Sequence, residues 1–331
     1  MKLNKPLLKK LLTKIRGRKI LVIGDVGVDR YVTGVVERIS PEAPVPLLLV
    51  EDETLKLGLA ANVADNVKVL GGIPILVGVV GEDRSAQDFF GLLKKASISG
   101  SNLIKDPSRR TTLKERVVTE TQQLLRVDYE TQREVSKKTT HTLLAKITSL
   151  LNTCDGVILE DYAKGLIDAE LAAEIFKRAK AAGKWVAVDP NRKTPLEYYV
   201  GATVLTPNTK EAEKLAGFVI RDESSLKKAG EKILWSTQAQ HVVITRGKEG
   251  MAIFSKGSKS VKKIPTYARQ VYDVSGAGDT VIAVLALALS VGSSIEEAAM
   301  LGNVAAGIEV GKRGTATVTP QEILTELEAH H

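Results

Sequence analysis

Short runs of consecutive apolar residues recur along the chain, and most are followed by a stretch whose apolar positions fall three or four apart. Residues 19–24, 75–80, 156–160, 185–189, 203–205 and 242–245 read as strands. Segments such as 168–182, with Leu171, Ile175 and Ala179 on one face, read as helices between them. Runs such as Val157-Ile158-Leu159 and Val186-Ala187-Val188 are apolar without alternation, as expected of strands covered on both faces. Strands alternating with helices imply an α/β fold with a mostly parallel sheet between helical layers. Two segments depart from this rhythm. Residues 32–56 contain three closely spaced prolines, Pro41, Pro44 and Pro46, which exclude a helix, and residues 112–129 alternate apolar with polar positions. They are expected to form a small β lid inserted into one large domain spanning 1–331.

Length permits this. The chain has 331 residues, enough for a single large α/β unit with its own core. Residues 1–19 form a lysine-interrupted amphipathic stretch rather than a signal-peptide core, and the longest apolar run, 281–289, is too short to cross a bilayer. A cytoplasmic protein that binds no membrane is expected. The one cysteine, Cys154, precedes an apolar run and reads as a buried core thiol; four histidines and one cysteine offer no zinc cluster. Lys and Arg total 47 against 39 Asp and Glu, a formal charge of +8. The basic residues are dispersed and aromatics are only 4%, which points to small anionic ligands rather than nucleic acid.

In an open parallel sheet, ligands bind beyond the carboxyl ends of the strands. Those ends read Gly24-Asp25, Gly81-Glu82-Asp83, Glu160-Asp161, Asp189-Pro190-Asn191, Pro207-Asn208 and Arg246-Gly247. Any one of these could be a turn or a helix cap; six along one crest describe a cleft. The most informative segment is Val271 to Thr280, where Gly276-Ala277-Gly278 leads into an apolar helix. Small residues at a helix N-terminus let backbone N–H groups converge on an anion. Asp279, in the first turn, either complements the helix dipole or takes a proton from an attacking hydroxyl beside a phosphoryl group in flight. Asn208-Thr209-Lys210-Glu211 either caps a helix, with Asn208 and Glu211 as a capping-box pair, or lines nucleotide phosphates, with Asn208 and Glu211 near a metal ion. Thr245-Arg246-Gly247 through Gly250 is either a hairpin turn or a second nucleotide-contacting exit. No G-x-x-x-x-G-K-[ST], no G-x-G-x-x-G after the first strand and no G-x-S-x-G occurs. P-loop, dinucleotide-binding and α/β-hydrolase chemistry are thereby excluded.

Asp273-Val274-Ser275-Gly276-Ala277-Gly278-Asp279 resembles the C-terminal signature of the ribokinase-like (PfkB-type) carbohydrate kinases. Gly58-Leu59-Ala60-Ala61-Asn62, with Gly71-Gly72, resembles their N-terminal signature. The resemblance implies a three-layer α/β/α sandwich with a β lid, shared across a homodimer. It implies an enzyme that uses ATP and Mg²⁺, with a monovalent cation also possible. Asp279 would be the base and Gly276, Ala277 and Gly278 the anion hole. Asn208, Thr209, Lys210, Glu211, Thr245, Arg246, Gly247, Gly250 and Asn303 would contact the nucleotide, and Asn208 and Glu211 its metal. Asp25, Asp29, Gly58, Asn62, Lys164 and Asp189 would contact the sugar.

Within the family, residues 38–46, 122–128, 161–165 and 310–315 resemble the heptose-phosphate kinases. That implies a sugar-phosphate acceptor, D-glycero-β-D-manno-heptose 7-phosphate, phosphorylated at its anomeric hydroxyl on the way to ADP-heptose and lipopolysaccharide. Lys164, Arg192 and Lys193 would then meet the acceptor phosphate. A kinase for another sugar, or a regulator that binds without catalysis, is the alternative. The bifunctional form carries a nucleotidyltransferase domain absent from this chain, which implies a kinase-only protein or a kinase fragment. Leu59 stands where the family signature has glycine, and Asn191 where related heptose kinases often carry lysine.

Overall fold

The computed structural model describes residues 4–268, 271–312 and 314–329; Arg313, within the last of the heptose-kinase segments, lies outside them. After helix α1 (Lys5–Lys14) the strands begin with β1 (Lys19–Gly24), β2 (Val26–Ile39) and β3 (Pro46–Leu59). Then come α2 (Ala60–Val69), β4 (Ile73–Val77), β5 (Val79–Val80), α3 (Arg84–Lys95), β6 (Ile104–Lys105), β7 (Thr112–Val118) and β8 (Gln123–Tyr129). The middle of the chain forms α4 (Lys137–Leu151), β9 (Gly156–Glu160), α5 (Ala169–Ala181), β10 (Val186–Asp189) and β11 (Val204–Leu205). Helices α6 (Thr209–Ala216) and α7 (Glu223–Thr237) lead to β12 (His241–Thr245), β13 (Met251–Ser255) and β14 (Lys262–Ile264). The chain closes with α8 (Ala277–Leu289), α9 (Ile295–Glu309) and α10 (Pro320–Ala329).

Eight strands form one sheet in the order β14-β13-β12-β11-β10-β9-β1-β4. Its pairs are parallel from β4 through β12, and β13 and β14 add antiparallel edges. Two apolar clusters flank it. One joins α2, α8 and α9 to one face; the other joins α4, α5 and α7 to the opposite face. This is the α/β/α sandwich the pattern implies. Strand β9 is buried along its whole length, and Gly156 opens it because the Trp185 ring occupies the space a side chain would need.

Two differences from the sequence reading go beyond a one-residue shift. The run 75–80 is not one strand: Gly78 separates β4 from β5, where a Cβ would lie 2.8 Å from the carbonyl oxygen of Gly24. The second sheet, ordered β3-β2-β7-β8, starts at Val26 rather than residue 32. Only Asp25 separates β1 from β2, so the chain passes from the main sheet into the smaller one in a single residue. Apolar content alone cannot mark a crossing where both strands begin buried.

Leu59, at the junction of β3 and α2, has φ 59° and ψ −139°, backbone space usually left to glycine. Its side chain is buried and packs over Gly27. Removing it costs packing in any variant, but only glycine also relieves the backbone. Leu59→Gly is therefore expected to be more stable than Leu59→Ala by about 1 kcal/mol, the reverse of the usual order. Urea denaturation of both variants checks this, and an alanine variant at least as stable as glycine would show that the junction is unstrained.

Candidate active site

The crest of the main sheet carries three carboxylates whose oxygens lie within 4.8 Å of one another: Glu160 at the end of β9, Asp189 at the end of β10 and Asp279 in the first turn of α8. Parallel register brings the first two side by side, since Asp189 pairs with Glu160. Gly276 caps α8 with φ 98°, a conformation that turns the chain sharply into the helix. A Cβ on Gly278 would approach Asp189 Oδ2 to 3.7 Å, so the turn faces the acidic group directly. Ala277 N donates to the Val274 carbonyl at 3.4 Å, while the first-turn amides of Gly278 and Asp279 have no backbone acceptor among the described residues.

Both oxygens of Asp279 are held. Asn62 Nδ2 donates to Oδ2 at 2.6 Å, and the Tyr162 hydroxyl donates to Oδ1 at 2.8 Å. Burial raises the Asp279 pKa above the usual carboxylate range, while these two hydrogen bonds and the nearby Lys114 oppose the rise. Burial also raises Glu160 and Asp189 well above that range, reinforced in both by Asp279, Asp161 and Glu211, and in Glu160 by Asp189. Glu160 is fully buried, and neither of its carboxylate oxygens finds a hydrogen-bond partner among the described residues. An orphaned carboxylate in an all-oxygen cluster fits a hard divalent cation such as Mg²⁺.

Asn208 and Glu211 form the reciprocal capping box at the start of α6: Glu211 N donates to Asn208 Oδ1 at 3.0 Å, and Asn208 N to Glu211 Oε2 at 2.8 Å. Glu211 nevertheless lies close enough to raise the pKa values of Glu160 and Asp189. Thr209 Oγ1 donates to the Thr245 carbonyl, while Lys210 is exposed. A cavity of about 450 Å³ opens beside the α8 turn, and Thr245, Gly247, Gly250, Ala277, Gly278 and Asn303 line it. Asn303 reaches the Pro265 carbonyl at 2.6 Å. Arg246 instead turns to Glu249 and Glu223.

On the other side, Asp25 is buried, accepts from the Lys164 amide at 3.1 Å, and has its pKa pushed up to about 6 by burial. Asp29 of β2 pairs with Arg116 at 2.8 Å. Gly58 leaves room for it, since a Cβ there would meet Asp29 Cγ at 3.1 Å. The Lys164 ammonium pairs with Glu130, and Arg192 and Lys193 are exposed on the loop after β10, Arg192 acting on Glu211. The basic residues expected at the acceptor phosphate are thus not gathered together. The sequence reading also passed over Glu160, Tyr162 and Lys114 as site residues. The first two stood in segments already noted, at a strand exit and in the 161–165 motif.

The profile described as pfkB family carbohydrate kinase matches residues 18–322. The bifunctional protein HldE of Wolinella succinogenes is 42% identical over 312 residues, covering 94% of this chain and 65% of that protein. HldE of Paramagnetospirillum magneticum is 42% identical over 314 residues, covering 95% and 64%. The chain thus spans about two thirds of the length of these relatives. Among solved structures, Arabidopsis thaliana ribokinase complexed with ribose and ATP has TM-score 0.72 at 19% identity, covering 95% of this chain and 99% of that one. Escherichia coli phosphofructokinase-2 in complex with potassium has TM-score 0.77 at 19% identity, with the same coverage. By the match over residues 18–322 and these relatives, the chain belongs to the pfkB family of carbohydrate kinases and is an ATP-dependent sugar kinase.

Proposed function

We propose that this kinase phosphorylates the anomeric hydroxyl of D-glycero-β-D-manno-heptose 7-phosphate to give the 1,7-bisphosphate, in the supply of ADP-heptose for lipopolysaccharide. The observation that carries the chemistry is Asp279, held through both oxygens at the anion-binding turn between the cavity and the lid. ATP would lie in the cavity, contacting Thr245, Gly247, Gly250 and Asn303, with the α6 segment from Asn208 to Glu211 beside its phosphates. The acceptor would lie against Asp25, Asp29, Gly58 and Asn62. Asp279 takes the proton of the acceptor hydroxyl as its oxygen bonds to the γ-phosphorus; the bond to the β-γ bridging oxygen breaks and ADP leaves. The first-turn amides of Gly278 and Asp279 stabilise the charge spread over the phosphoryl oxygens. Glu160, Asp189 and Glu211 would hold Mg²⁺, which when bound neutralises phosphate charge.

The heptose assignment is supported by residues 38–46, 122–128, 161–165 and 310–315 and by the HldE relatives. The exposed apolar side chains Val35, Leu49, Val50 and Leu125 on the smaller sheet support a homodimer through that lid, inserted in one kinase domain. Among the described residues no helix is long and apolar enough to cross a membrane, in keeping with a cytoplasmic enzyme. The intact Asp279 constellation argues against a binding-only regulator. ADP release is measured with heptose 7-phosphate, free heptose and fructose 6-phosphate at equal ionic strength. Heptose 7-phosphate is expected to have the highest kcat/KM by about 10²-fold or more, as two charge-assisted hydrogen bonds to its phosphate allow. Highest activity on fructose 6-phosphate would replace the heptose assignment and keep the kinase.

A further inference from the structure

The lid presents one face of alternating residues to the cleft, and its charges do not balance. Cross-strand register sets Asp29 of β2, Lys114 of β7 and Asp128 of β8 in one row, with Tyr31, Arg116 and Arg126 in the next. Directly paired residues share a face, so all six look the same way. Arg116 is spent on Asp29 at 2.8 Å and stacks on the Tyr31 ring at 5.2 Å. Arg126 meets Asp128 through two hydrogen bonds of 2.7 Å. Lys164, arriving from the end of the main sheet, is spent on Glu130. Lys114 is left over. Among the described residues its ammonium has no carboxylate within ion-pair distance and no hydrogen bond; it lies 5.2 Å from the centre of the Tyr162 ring. Tyr162 is the residue whose hydroxyl holds Asp279. The unmatched cation therefore stands on the acceptor side of the base.

We propose that Lys114 is the specificity-determining contact for the acceptor's own phosphate. The inference rests on the reading of the acceptor as a sugar phosphate and names the residue that selects it. A half-buried ammonium among other cations is costly to keep charged without a partner. Burial lowers its pKa most, and Arg126, Lys164 and Arg116 lower it further against the opposing charges of Asp29, Asp128 and Asp279. A dianionic phosphate reverses that balance and gains charge-assisted hydrogen bonds from a donor that no other group occupies. A neutral sugar hydroxyl gains far less, so the same side chain discriminates between a phosphorylated acceptor and its free sugar. Arg116 and Arg126 are already neutralised and cannot supply this preference without breaking their pairs. A position on the lid suits the role, because the acceptor must lie between the lid and the Asp279 crest.

The test compares parent, Lys114→Met and Lys114→Arg, with heptose 7-phosphate and free heptose as paired probes. Binding is measured by calorimetry without nucleotide, and kcat and KM by ADP release. Lys114→Met is expected to weaken heptose 7-phosphate about 10- to 100-fold more than free heptose, in Kd and in KM. Lys114→Arg keeps the preference to within a few-fold, which separates lost charge from lost folding. Equal weakening of both probes, or a fall in kcat shared by both with KM unmoved, overturns the proposal; the second result would instead assign Lys114 to the transferred phosphoryl group. If the parent itself does not use heptose 7-phosphate, the heptose reading fails separately. The same ratio is then read with fructose 6-phosphate and fructose, and an unchanged ratio in Lys114→Met overturns the role of Lys114.

Discussion

Asp279→Asn is expected to lower kcat by about 10²- to 10⁴-fold while ATP binding is retained. Asparagine matches aspartate in shape, so the turn of α8 and the cavity beside it keep their form. It cannot accept a proton at the reaction's pH, and it offers one acceptor atom where two are used. Asn62 and Tyr162 each donate to a different oxygen of Asp279, so one of them loses its acceptor in the variant. The loss should be independent of Mg²⁺ concentration, because a base that cannot take a proton is not restored by a cation. Stability should not fall with it: a carboxylate whose pKa is raised by burial is a charge the folded state holds at a cost. Turnover within a few-fold of the parent would remove Asp279 from the chemistry. A loss recovered by added Mg²⁺ would recast it as a metal-holding residue.

The features that were readable in the sequence are those set by local pattern. Continuous apolar runs fixed β1 and β9 to the residue, because a strand buried on both faces tolerates no polar interruption. The Gly276-Ala277-Gly278 turn announced a helix start, and α8 begins at Ala277. The Asn208–Glu211 spacing offered a capping box as one of two readings, and both of its hydrogen bonds are present. What was not readable depends on partners far apart in the chain. Tyr162 and Asn62 meet Asp279 across 117 and 217 residues, and nothing local marks either as a donor to it. Lys114 looked like one charged position in an alternating strand; its significance lies in Arg116 and Arg126 having found carboxylates while it did not. The late start given to the lid has a similar cause. Val26 and Val28 are as buried as the main-sheet strand before them, so only the pairing of Val26 with Leu59 reveals the change of sheet.

Glu160→Gln separates the metal-holding part of the crest from the base, and its effects on activity and stability should run in opposite directions. Glu160 carries no proton-transfer role in this mechanism, yet it is a fully buried carboxylate whose oxygens lack hydrogen-bond partners among the described residues. Replacing it by glutamine removes one negative ligand from the proposed cation site that it shares with Asp189 and Glu211. The Mg²⁺ concentration for half-maximal rate should rise by about 10- to 100-fold, with much of kcat recovered at saturation. In metal-free protein the raised pKa of Glu160 means that the folded state keeps a proton which the unfolded chain releases above its ordinary value. The unfolded state then binds fewer protons, so stability falls as pH rises above that ordinary value, until the folded carboxyl ionises too. Glutamine has no proton to release, so parent and variant should melt alike near pH 4 and diverge towards pH 9, the variant being the more stable. Added Mg²⁺ should narrow that gap, because it binds the ionised carboxylates and stabilises the parent more. Melting temperatures across this pH range, with chelator and with Mg²⁺, check both signs. Parallel curves for the two proteins would mean that Glu160 is satisfied within the fold, and the cation would then have to be sought at Asp189 and Glu211 alone.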